Sequence, residues 1–181
     1  NVTAGNVVSV KVTNSDGSAS TAISKTAAAL PSGGTIATSG NYRYHTFLSS
    51  GTYVNTTVTS AGYLIVAGGG GTCSTGPTGN YPQAWGGGGG AGGLLTGTKT
   101  GLSATSYSIV VGSGGGASTS GGNSSAFSLT ANGGGKGGEY NSAGTSGGCG
   151  GGGGGDTTTA GGSGTVGQGY AGGNGYNPSP E

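Results

Sequence analysis

Residues 64–71 read LIVAGGGG, a short apolar strand that passes directly into a run of glycine, and this pattern decides the fold. It recurs in residues 109–116 (IVVGSGGG) and in residues 128–138 (SLTANGGGKGG). Of the 50 glycines, 43 lie at or after Gly68, so the strand-rich first third gives way to a glycine-rich region. Disordered chains usually combine many charges with many prolines, whereas this chain has 5% charged residues and 5 prolines. The glycine runs therefore indicate ordered structure.

The glycine runs have a specific conformational meaning. Residues 150–155 carry no side chains with which to build a core, but they can adopt the polyproline-II helix, which has three residues per turn. This helix has no internal hydrogen bonds, so its buried N–H and C=O groups need partners. Neighbouring polyglycine helices supply these partners, and only glycine lets the backbones approach closely enough. The runs predict a polyglycine-II helix bundle, in which residues 150–155 would span about 19 Å.

The remaining segments predict β-strands. They are rich in β-branched and aromatic residues, and several alternate apolar with polar residues. We predict strands in residues 7–13, 42–54, 61–67, 105–112 and 125–131. The one candidate helix, residues 26–30, is stopped by Pro31. The predicted fold class is therefore all-β, without an α-helix.

Residues 1–30 predict a β-hairpin whose bend is Asn14-Ser15-Asp16-Gly17, since Asn, Asp and Gly tolerate the left-handed backbone. The stretch VKVTNSDGSAS resembles the final hairpin of immunoglobulin-like or fibronectin-type modules. Two strands cannot form such a sandwich, so upstream residues or another subunit would complete it. We interpret residues 1–30 as the C-terminal part of such a module, residues 31–40 as a linker and residues 41–181 as a glycine-rich domain.

The order of elements in residues 42–175 resembles a known family. The passages FLSSGTYVNTTVTSAGYLIVAGGGG, GGGGGAGGLLTGT, SYSIVVGSGGG and SAFSLTANGGGKGG are similar to the glycine-rich domain of phage tail-fibre and adhesin proteins. In related phage adhesins, polyglycine-II helices form a sandwich, and loops between the helices determine receptor specificity. A similar bundle stands on a jelly-roll-like base in anaplastic lymphoma kinase, and another occurs in springtail antifreeze proteins. The resemblance implies β-sandwich or jelly-roll-like strands that lead into the bundle.

Charge and hydropathy exclude two classes of partner. The chain has 5% charged residues, against about 25% in typical proteins, and a net charge of +1. We therefore expect no nucleic acid as a partner, because such binding relies on Lys and Arg. No apolar run approaches the roughly 18–20 residues that cross a bilayer, so we expect no membrane insertion. The chain has no Met and no signal peptide, so we expect a processed product or a piece of a longer protein.

The motifs that suggest enzymatic chemistry do not stand in the required context. Residues 162–167 match G-x-G-x-x-G, but neither a preceding strand nor a following helix is predicted. Lys136 follows three glycines without the Ser or Thr of a P-loop. His45 lies on a predicted strand, where a surface or cross-strand role is expected, and no ligand spacing suggests a metal. We expect no cofactor, no metal and no enzymatic activity.

Cys73 and Cys149 are the only cysteines, and each lies beside a glycine run. Two alternatives stand: two free thiols, or a disulfide that closes a loop of about 75 residues and contributes about 4 kcal/mol in the chain-entropy model. The disulfide would require an oxidising exterior. Sequons begin at Asn1, Asn55 and Asn123, at a frequency expected by chance in a chain rich in Ser, Thr and Asn.

The inserts between glycine runs are the candidate receptor-contact loops. Residues 72–85 hold the single Trp, and Trp and Tyr are favoured at binding hot spots and stack on sugars. The alternative for Trp85 is that it caps the bundle. The candidate contact residues are Tyr81, Trp85, Tyr140, Asn141, Thr157, Thr158, Tyr170 and Tyr176.

These observations lead to a hypothesis of a structural and adhesive component of a phage virion fibre, exposed at the virion surface. Its expected partners are other fibre or tail proteins and a host surface glycan or outer-membrane protein, and a homo-oligomer is an open alternative. Two other classes remain. One is a secreted extracellular-matrix or receptor module, which glycosylation at Asn55 or a disulfide would favour. The other is an ice-binding protein, which would need a regular G-x-x period.

Overall fold

A computed structural model describes residues 7–10, 23–26, 28–73, 86–155 and 158–176. These residues form an all-β structure, and none of the described ranges contains an α-helix. The strands are β1 Val7–Val10, β2 Ile23–Thr26, β3 Thr35–Ser39, β4 Tyr42–Thr46, β5 Gly51–Val54, β6 Ser60–Val66, β7 Leu94–Thr100, β8 Ser106–Ile109, β9 Ser124–Ala126 and β10 Leu129–Ala131. The predicted fold class is confirmed.

The described strands pair as five antiparallel two-stranded sheets: β1–β2, β3–β4, β5–β8, β6–β7 and β9–β10. They do not join into larger sheets, so a β-sandwich or jelly-roll arrangement is not confirmed. An isolated hairpin is marginally stable in water. The sheets therefore depend on packing against one another and against the glycine-rich part.

Two predicted strands are each divided in the structure. Residues 42–54 form β4 and β5, which have different partners, because residues 47–50 leave the extended conformation. Residues 125–131 form the hairpin β9–β10, in which Phe127 and Ser128 turn the chain at φ 54° and 63°. The candidate helix at residues 26–30 is not formed, in agreement with the prediction of no α-helix: Thr26 ends β2, and residues 28–30 are not helical.

Two strands were missed by the sequence analysis. The expected linker contains β3, which pairs with β4 across a tight turn where Gly40 has φ 56°. The stretch LLTGTKT forms β7, although Gly97 interrupts its side-chain pattern. Gly97 lies opposite Tyr63, and an added Cβ at Gly97 would stand 2.9 Å from the Tyr63 hydroxyl. The aromatic ring thus covers the glycine and replaces the missing side chain.

The N-terminal hairpin is confirmed as an antiparallel pair in which Val7 lies opposite Thr26. Its bend at residues 14–17 lies outside the described residues. The immunoglobulin-like assignment and the three domain boundaries stay predictions.

A small core joins three of the sheets, β5–β8, β6–β7 and β9–β10. Tyr53 of β5, Ile65 of β6 and Ile109 of β8 are buried there. Three alanines are buried with them: Ala67 follows β6, Ala126 ends β9 and Ala131 ends β10. The rings of Tyr53 and Phe127 meet edge to face at 5.8 Å, an arrangement that aromatic pairs favour. The core thus lies where the strands end and the glycine runs begin.

Beyond this core, the glycine runs form a bundle of extended segments numbered here in chain order. Segments I to IX comprise residues 67–72, 86–93, 112–118, 119–123, 132–139, 142–148, 149–155, 159–165 and 169–175. Their backbone hydrogen bonds run between segments rather than within them. This is the bonding that a polyglycine bundle requires.

The hydrogen bonds between segments repeat every three residues. In segment V, the N–H of Gly134 donates to the carbonyl of Gly68 at 2.9 Å. Three residues later, Gly137 donates to Gly71 at 3.0 Å. A β-ladder would return to the same neighbour every two residues, whereas a helix with three residues per turn does so every three. The glycine segments are therefore polyglycine-II helices.

Segment V lies at the centre of the bundle. It exchanges backbone hydrogen bonds with five other segments, namely I, II, IV, VI and VII. The first seven of its eight residues, 132–138, are buried or half-buried, and Gly137 is among the buried ones. A Cβ added at Gly137 would overlap the carbonyl oxygen of Gly87 in segment II. Close approach of backbones is thus what requires glycine here.

Candidate functional site

The bundle has two different ends. Segments I and V begin directly after strands, and segment III begins after the two residues that follow β8. Segments II and IV lead directly into strands, so the sheets stand at one end, called here the sheet end. The opposite end, called here the loop end, holds the turn at residues 139–142, the end of segment VII at Gly155 and the start of segment VIII at Thr159. The hydrogen bonds between segments II and V distinguish the two ends: Gly93 pairs with Asn132 beside the sheets, and Gly87 pairs with Gly138 at the loop end.

Tyr140 and Asn141 lie at the loop end, in the turn between segments V and VI. The turn is closed by the N–H of Ser142, which donates to the Glu139 carbonyl at 2.9 Å. Asn141 adopts the left-handed conformation with φ 54°, which Asn tolerates better than most residues. Its N–H donates to the carbonyl of Gly155 at 3.4 Å, so two neighbouring turns are connected.

Two further predicted residues share this end. Thr158 is exposed in the connection between segments VII and VIII. Tyr176 follows segment IX and is 74% exposed. The neighbouring N–H of Gly175 donates to the Thr159 carbonyl at 2.8 Å, so the Tyr176 end of segment IX lies beside the Thr158 connection. The structure thus brings four predicted residues to one end.

Tyr170 does not join them. Its carbonyl accepts a hydrogen bond from Gly150, at the start of segment VII, so Tyr170 lies near the sheet end. Six residues separate it from Tyr176, which corresponds to about 19 Å along a polyglycine-II helix. Its side chain is 86% exposed. Sequence alone could not show this, because the direction of each segment depends on its partners.

Three predicted residues, Tyr81, Trp85 and Thr157, lie outside the described residues. Cys73 and Gly86 are the described residues on either side of Tyr81 and Trp85, and both lie at the loop end. They are close together there, because a Cβ added at Gly86 would overlap the Cys73 sulfur.

The loop end also contains polar residues that the sequence analysis did not name. Glu139 and Ser142 are exposed beside Tyr140. Asn174 is exposed, and its Oδ1 accepts a hydrogen bond from the Gly161 N–H at 3.0 Å. The signal that could have found these residues is their position next to glycine at the predicted end of a run. The resulting surface combines phenol, amide and hydroxyl groups with the Glu139 carboxylate.

Cys73 and Cys149 carry free thiols in the structure, and both are half-buried. Cys149 begins segment VII at the sheet end, where its carbonyl accepts from Gly135, while Cys73 follows segment I at the loop end. Gly137 pairs with Gly71, so Cys73 stands about four residues, or about 12 Å, further along the bundle than Cys149. A disulfide needs Cα atoms within about 7 Å. The disulfide alternative is therefore not formed in this fold.

His45 makes one polar and one aromatic contact within the fold. Its Nδ1 lies 2.8 Å from the Gly33 carbonyl, and its ring meets Tyr53 edge to face at 5.0 Å. In the described part of the chain, no three His, Cys, Asp or Glu residues are grouped as metal ligands would be. The described ranges likewise contain no helix long and apolar enough to cross a membrane.

Asn55, which begins one sequon, is 2% exposed. Its Nδ2 donates to the carbonyls of Val58 and Ser103 at 2.7 and 2.8 Å, and its Oδ1 accepts from the Val58 N–H at 3.0 Å. The side chain thus joins the segment after β5 to the segment before β8. A glycan on Nδ2 would break these bonds, so the fold leaves no room for one at Asn55.

Comparison with known proteins decides the family. A family model described as a glycine-rich domain matches residues 45–180. The chain belongs to this glycine-rich domain family. The match begins at His45 in β4, so the glycine-rich domain includes the small sheets from β5 onward together with the bundle. The searches of curated proteins and of solved structures gave no significant match.

Proposed function

We propose that the chain is a structural module of a phage virion fibre whose loop end takes part in host recognition. The observation that carries the proposal is the collection of exposed Tyr, Asn and Thr residues at one end of a bundle held together by backbone hydrogen bonds. Binding residues are commonly placed on loops that a rigid scaffold positions. The polyglycine-II bundle is a scaffold of this kind.

The chemistry of the loop end suits an uncharged target. Tyr176 offers an exposed phenol ring, Asn141 lies in a fixed turn, and Thr158 adds a hydroxyl. Aromatic rings pack against apolar faces of a ligand while hydroxyl and amide groups bind its polar atoms. A surface glycan or an outer-membrane protein fits these groups. The low charge of the chain argues for such a partner rather than a polyanion.

Two observations favour the virion over a secreted matrix or receptor module. Asn55 is buried and hydrogen-bonded, which disfavours a glycan there. The two cysteines are free and lie at different heights of the bundle. A secreted module would instead be expected to use disulfides in its oxidising surroundings.

The recognition role is tested with two tyrosines of the same bundle. The fluorescently labelled chain is incubated with a panel of Gram-negative strains that lack defined surface glycans or outer-membrane proteins. For a strain that is bound, Tyr176→Ala is expected to weaken binding about tenfold, as loss of a contact residue does. Tyr170→Ala is the matched control, because Tyr170 is also exposed but lies near the sheet end. Equal loss in both variants, or no loss in either, would reject the loop end as the recognition surface.

The location is tested separately. Mass spectrometry of purified virus particles is expected to find peptides of this chain among the tail and fibre proteins. Recovery of the chain only as a secreted, glycosylated species would overturn the virion assignment and support the matrix or receptor alternative.

A further inference from the structure

The β3–β4 ribbon has two different faces, because residues directly opposite each other on paired strands share a face. One face, called here the tyrosine face, consists of Tyr42, Tyr44 and Thr46 of β4 and their partners Ser39, Ala37 and Thr35 of β3. All six of these residues are exposed. The opposite face consists of Arg43 and His45 with their partners Thr38 and Ile36.

The opposite face attaches the ribbon to the rest of the fold. The His45 ring meets the buried Tyr53 ring edge to face at 5.0 Å, and its Nδ1 lies 2.8 Å from the Gly33 carbonyl oxygen. Phe47, which follows β4, packs against the core. Among the described strands, β3 and β4 pair only with each other. The tyrosine face is therefore directed away from the core.

The two tyrosines of this face are not needed to hold the ribbon together. Aromatic residues stabilise a strand pair when they pack across it against large partners. Here Tyr42 lies opposite Ser39 and Tyr44 lies opposite Ala37, so each ring stands beside a small residue. The rings instead lie side by side along β4, with centroids 6.4 Å apart and planes tilted by 45°. Tyr42 is 71% exposed and Tyr44 is 51% exposed, so two neighbouring rings are open to a ligand.

The charges of the ribbon restrict the kind of ligand. The tyrosine face carries no charged residue, and Arg43, the one Lys or Arg of the two strands, lies on the opposite face. The bases of a nucleic acid can stack on tyrosine rings, but their phosphates need Lys or Arg nearby. An uncharged ligand therefore fits this face better than a polyanion.

The size of the face restricts the ligand further. Each strand has five residues, so the face is about 17 Å long, and its two strands lie about 5 Å apart. A stable protein interface buries about 800 Å² on each partner, which is much more than so narrow a face offers. The ligand is therefore narrow, with apolar surface for the two rings and polar atoms for the hydroxyl groups of Ser39 and Thr46. A neutral sugar chain has all of these properties.

We propose that the tyrosine face binds a neutral oligosaccharide that lies along β4. One sugar packs the C–H face of its ring on Tyr42 and the neighbouring sugar packs on Tyr44, since a tyrosine offers an apolar body and a polar tip. The hydroxyl groups of Ser39, opposite Tyr42, and of Thr46, two residues beyond Tyr44, form hydrogen bonds with sugar hydroxyls. The site shares no residue with the loop end and does not depend on the recognition role proposed for that end.

The site is tested by titrating the isotope-labelled full chain with three neutral hexasaccharides, namely cellohexaose, maltohexaose and N-acetylchitohexaose. At least one of them is expected to shift the ring resonances of Tyr42 and Tyr44 at millimolar concentration, while those of Tyr170 and Tyr176 stay in place. No shift of the first two rings with any of the three sugars, or equal shifts of all four rings, would overturn the proposal. Nuclear Overhauser contacts in the free chain between the Tyr42 and Tyr44 rings and a distant part of the same chain would also overturn it, because the face would then be covered.

Variants separate sugar binding from folding. Tyr42→Ala and Tyr44→Ala are each expected to weaken sugar binding at least tenfold and to unfold close to the wild-type temperature, because their partners across the ribbon are small. Tyr42→Phe keeps the ring and is expected to retain most of the affinity. Tyr170→Ala is the matched control, because Tyr170 is 86% exposed but lies on segment IX, and it is expected to change nothing. Sugar binding that both alanine variants of the ribbon leave unchanged would overturn the proposal. Attachment to host cells that these two variants abolish, without any binding of sugar, would overturn it in favour of a protein partner.

Discussion

At the scale of the residue, the fold requires glycine only at those positions of a run where a neighbouring backbone leaves no room for a Cβ. A Cβ at Gly137 would overlap the Gly87 carbonyl, whereas a Cβ at Gly88, one residue further along the partner segment, would meet no atom within 4 Å. The sequence could predict that the run of residues 86–90 packs closely. It could not tell which of the five glycines face a neighbour, because that depends on the segments beside them.

This contrast gives a direct test. Gly137→Ala is expected to lower the free energy of unfolding by about 3 kcal/mol or more, since the backbone of segment II must move to admit the methyl group. Gly88→Ala is the matched control and is expected to change stability by less than about 1 kcal/mol, with the reduced freedom of the unfolded chain in its favour. Chemical denaturation of both variants measures the difference. Equal losses would show that steric closeness is not what selects glycine.

Tyr53 gives the fold a pH dependence. Burial raises the pKa of the Tyr53 phenol above its usual value of 10, the charge of Arg43 opposes this shift, and Tyr107 adds to it. The unfolded chain then loses this proton at a lower pH than the folded chain. The contribution of the Tyr53 phenol to the free energy of unfolding is therefore complete below about pH 10 and is lost as the pH rises through the raised pKa.

We accordingly expect the free energy of unfolding to fall above about pH 10, and to fall less steeply in Tyr53→Phe. Denaturation of both proteins between pH 8 and about pH 11 measures the two slopes. Parallel slopes would contradict the assignment of this pH dependence to the buried phenol.

At the scale of the element, the β9–β10 hairpin holds two residues in an unfavourable conformation. Phe127 and Ser128 have φ 54° and 63°, and neither is glycine, asparagine or aspartate. The Phe127 ring packs edge to face on Tyr107 at 5.2 Å and on Tyr53 at 5.8 Å. These contacts offset the backbone cost at Phe127. Ser128 is exposed and makes no comparable ring contact.

Ser128→Asn is therefore expected to stabilise the chain by up to about 1 kcal/mol, because Asn tolerates the left-handed region better than Ser. Ser108→Asn, an exposed change in the extended strand β8, is the control and is expected to be neutral or destabilising. Thermal unfolding ranks the two variants. A lower unfolding temperature for Ser128→Asn than for the wild type would contradict this account of the turn.

The sequence predicted most strand-forming segments but not their partners. Residues 42–54 carry continuous β-type composition, and only the separate pairing of β4 with β3 and of β5 with β8 divides them. Strand β3 was missed because TIATS is small and polar, and β7 was missed because Gly97 breaks its pattern. In both cases a neighbouring strand supplies the order that local composition does not indicate.

At the scale of the whole molecule, the resemblance and the glycine runs predicted the bundle, but the arrangement of its segments was not predictable. The consequence is clearest for Tyr170 and Tyr176, which look alike in sequence and lie toward opposite ends of segment IX. Residue type alone therefore selects candidate residues, and the direction of each segment decides which of them lie together at the loop end.

The same arrangement places Cys73 and Cys149 apart. Alkylation of the unfolded chain without reductant is expected to label both thiols, and prior treatment with an oxidant is expected not to join them while the chain is folded. Intact-mass measurement counts the labels. An unlabelled chain that takes two labels only after reduction would contradict the positions given to segments I and VII.

The central claim is the three-residue repeat of hydrogen bonds between glycine segments, and scalar couplings across hydrogen bonds measure it most directly. In the isotope-labelled chain, the amides of Gly87, Gly90 and Gly93 are expected to couple to the carbonyls of Gly138, Gly135 and Asn132, each step being three residues. These amides should also exchange slowly with solvent. Couplings at steps of two residues would indicate a β-ladder. Absent couplings with rapid exchange would indicate disorder, and either result would contradict the polyglycine-II bundle.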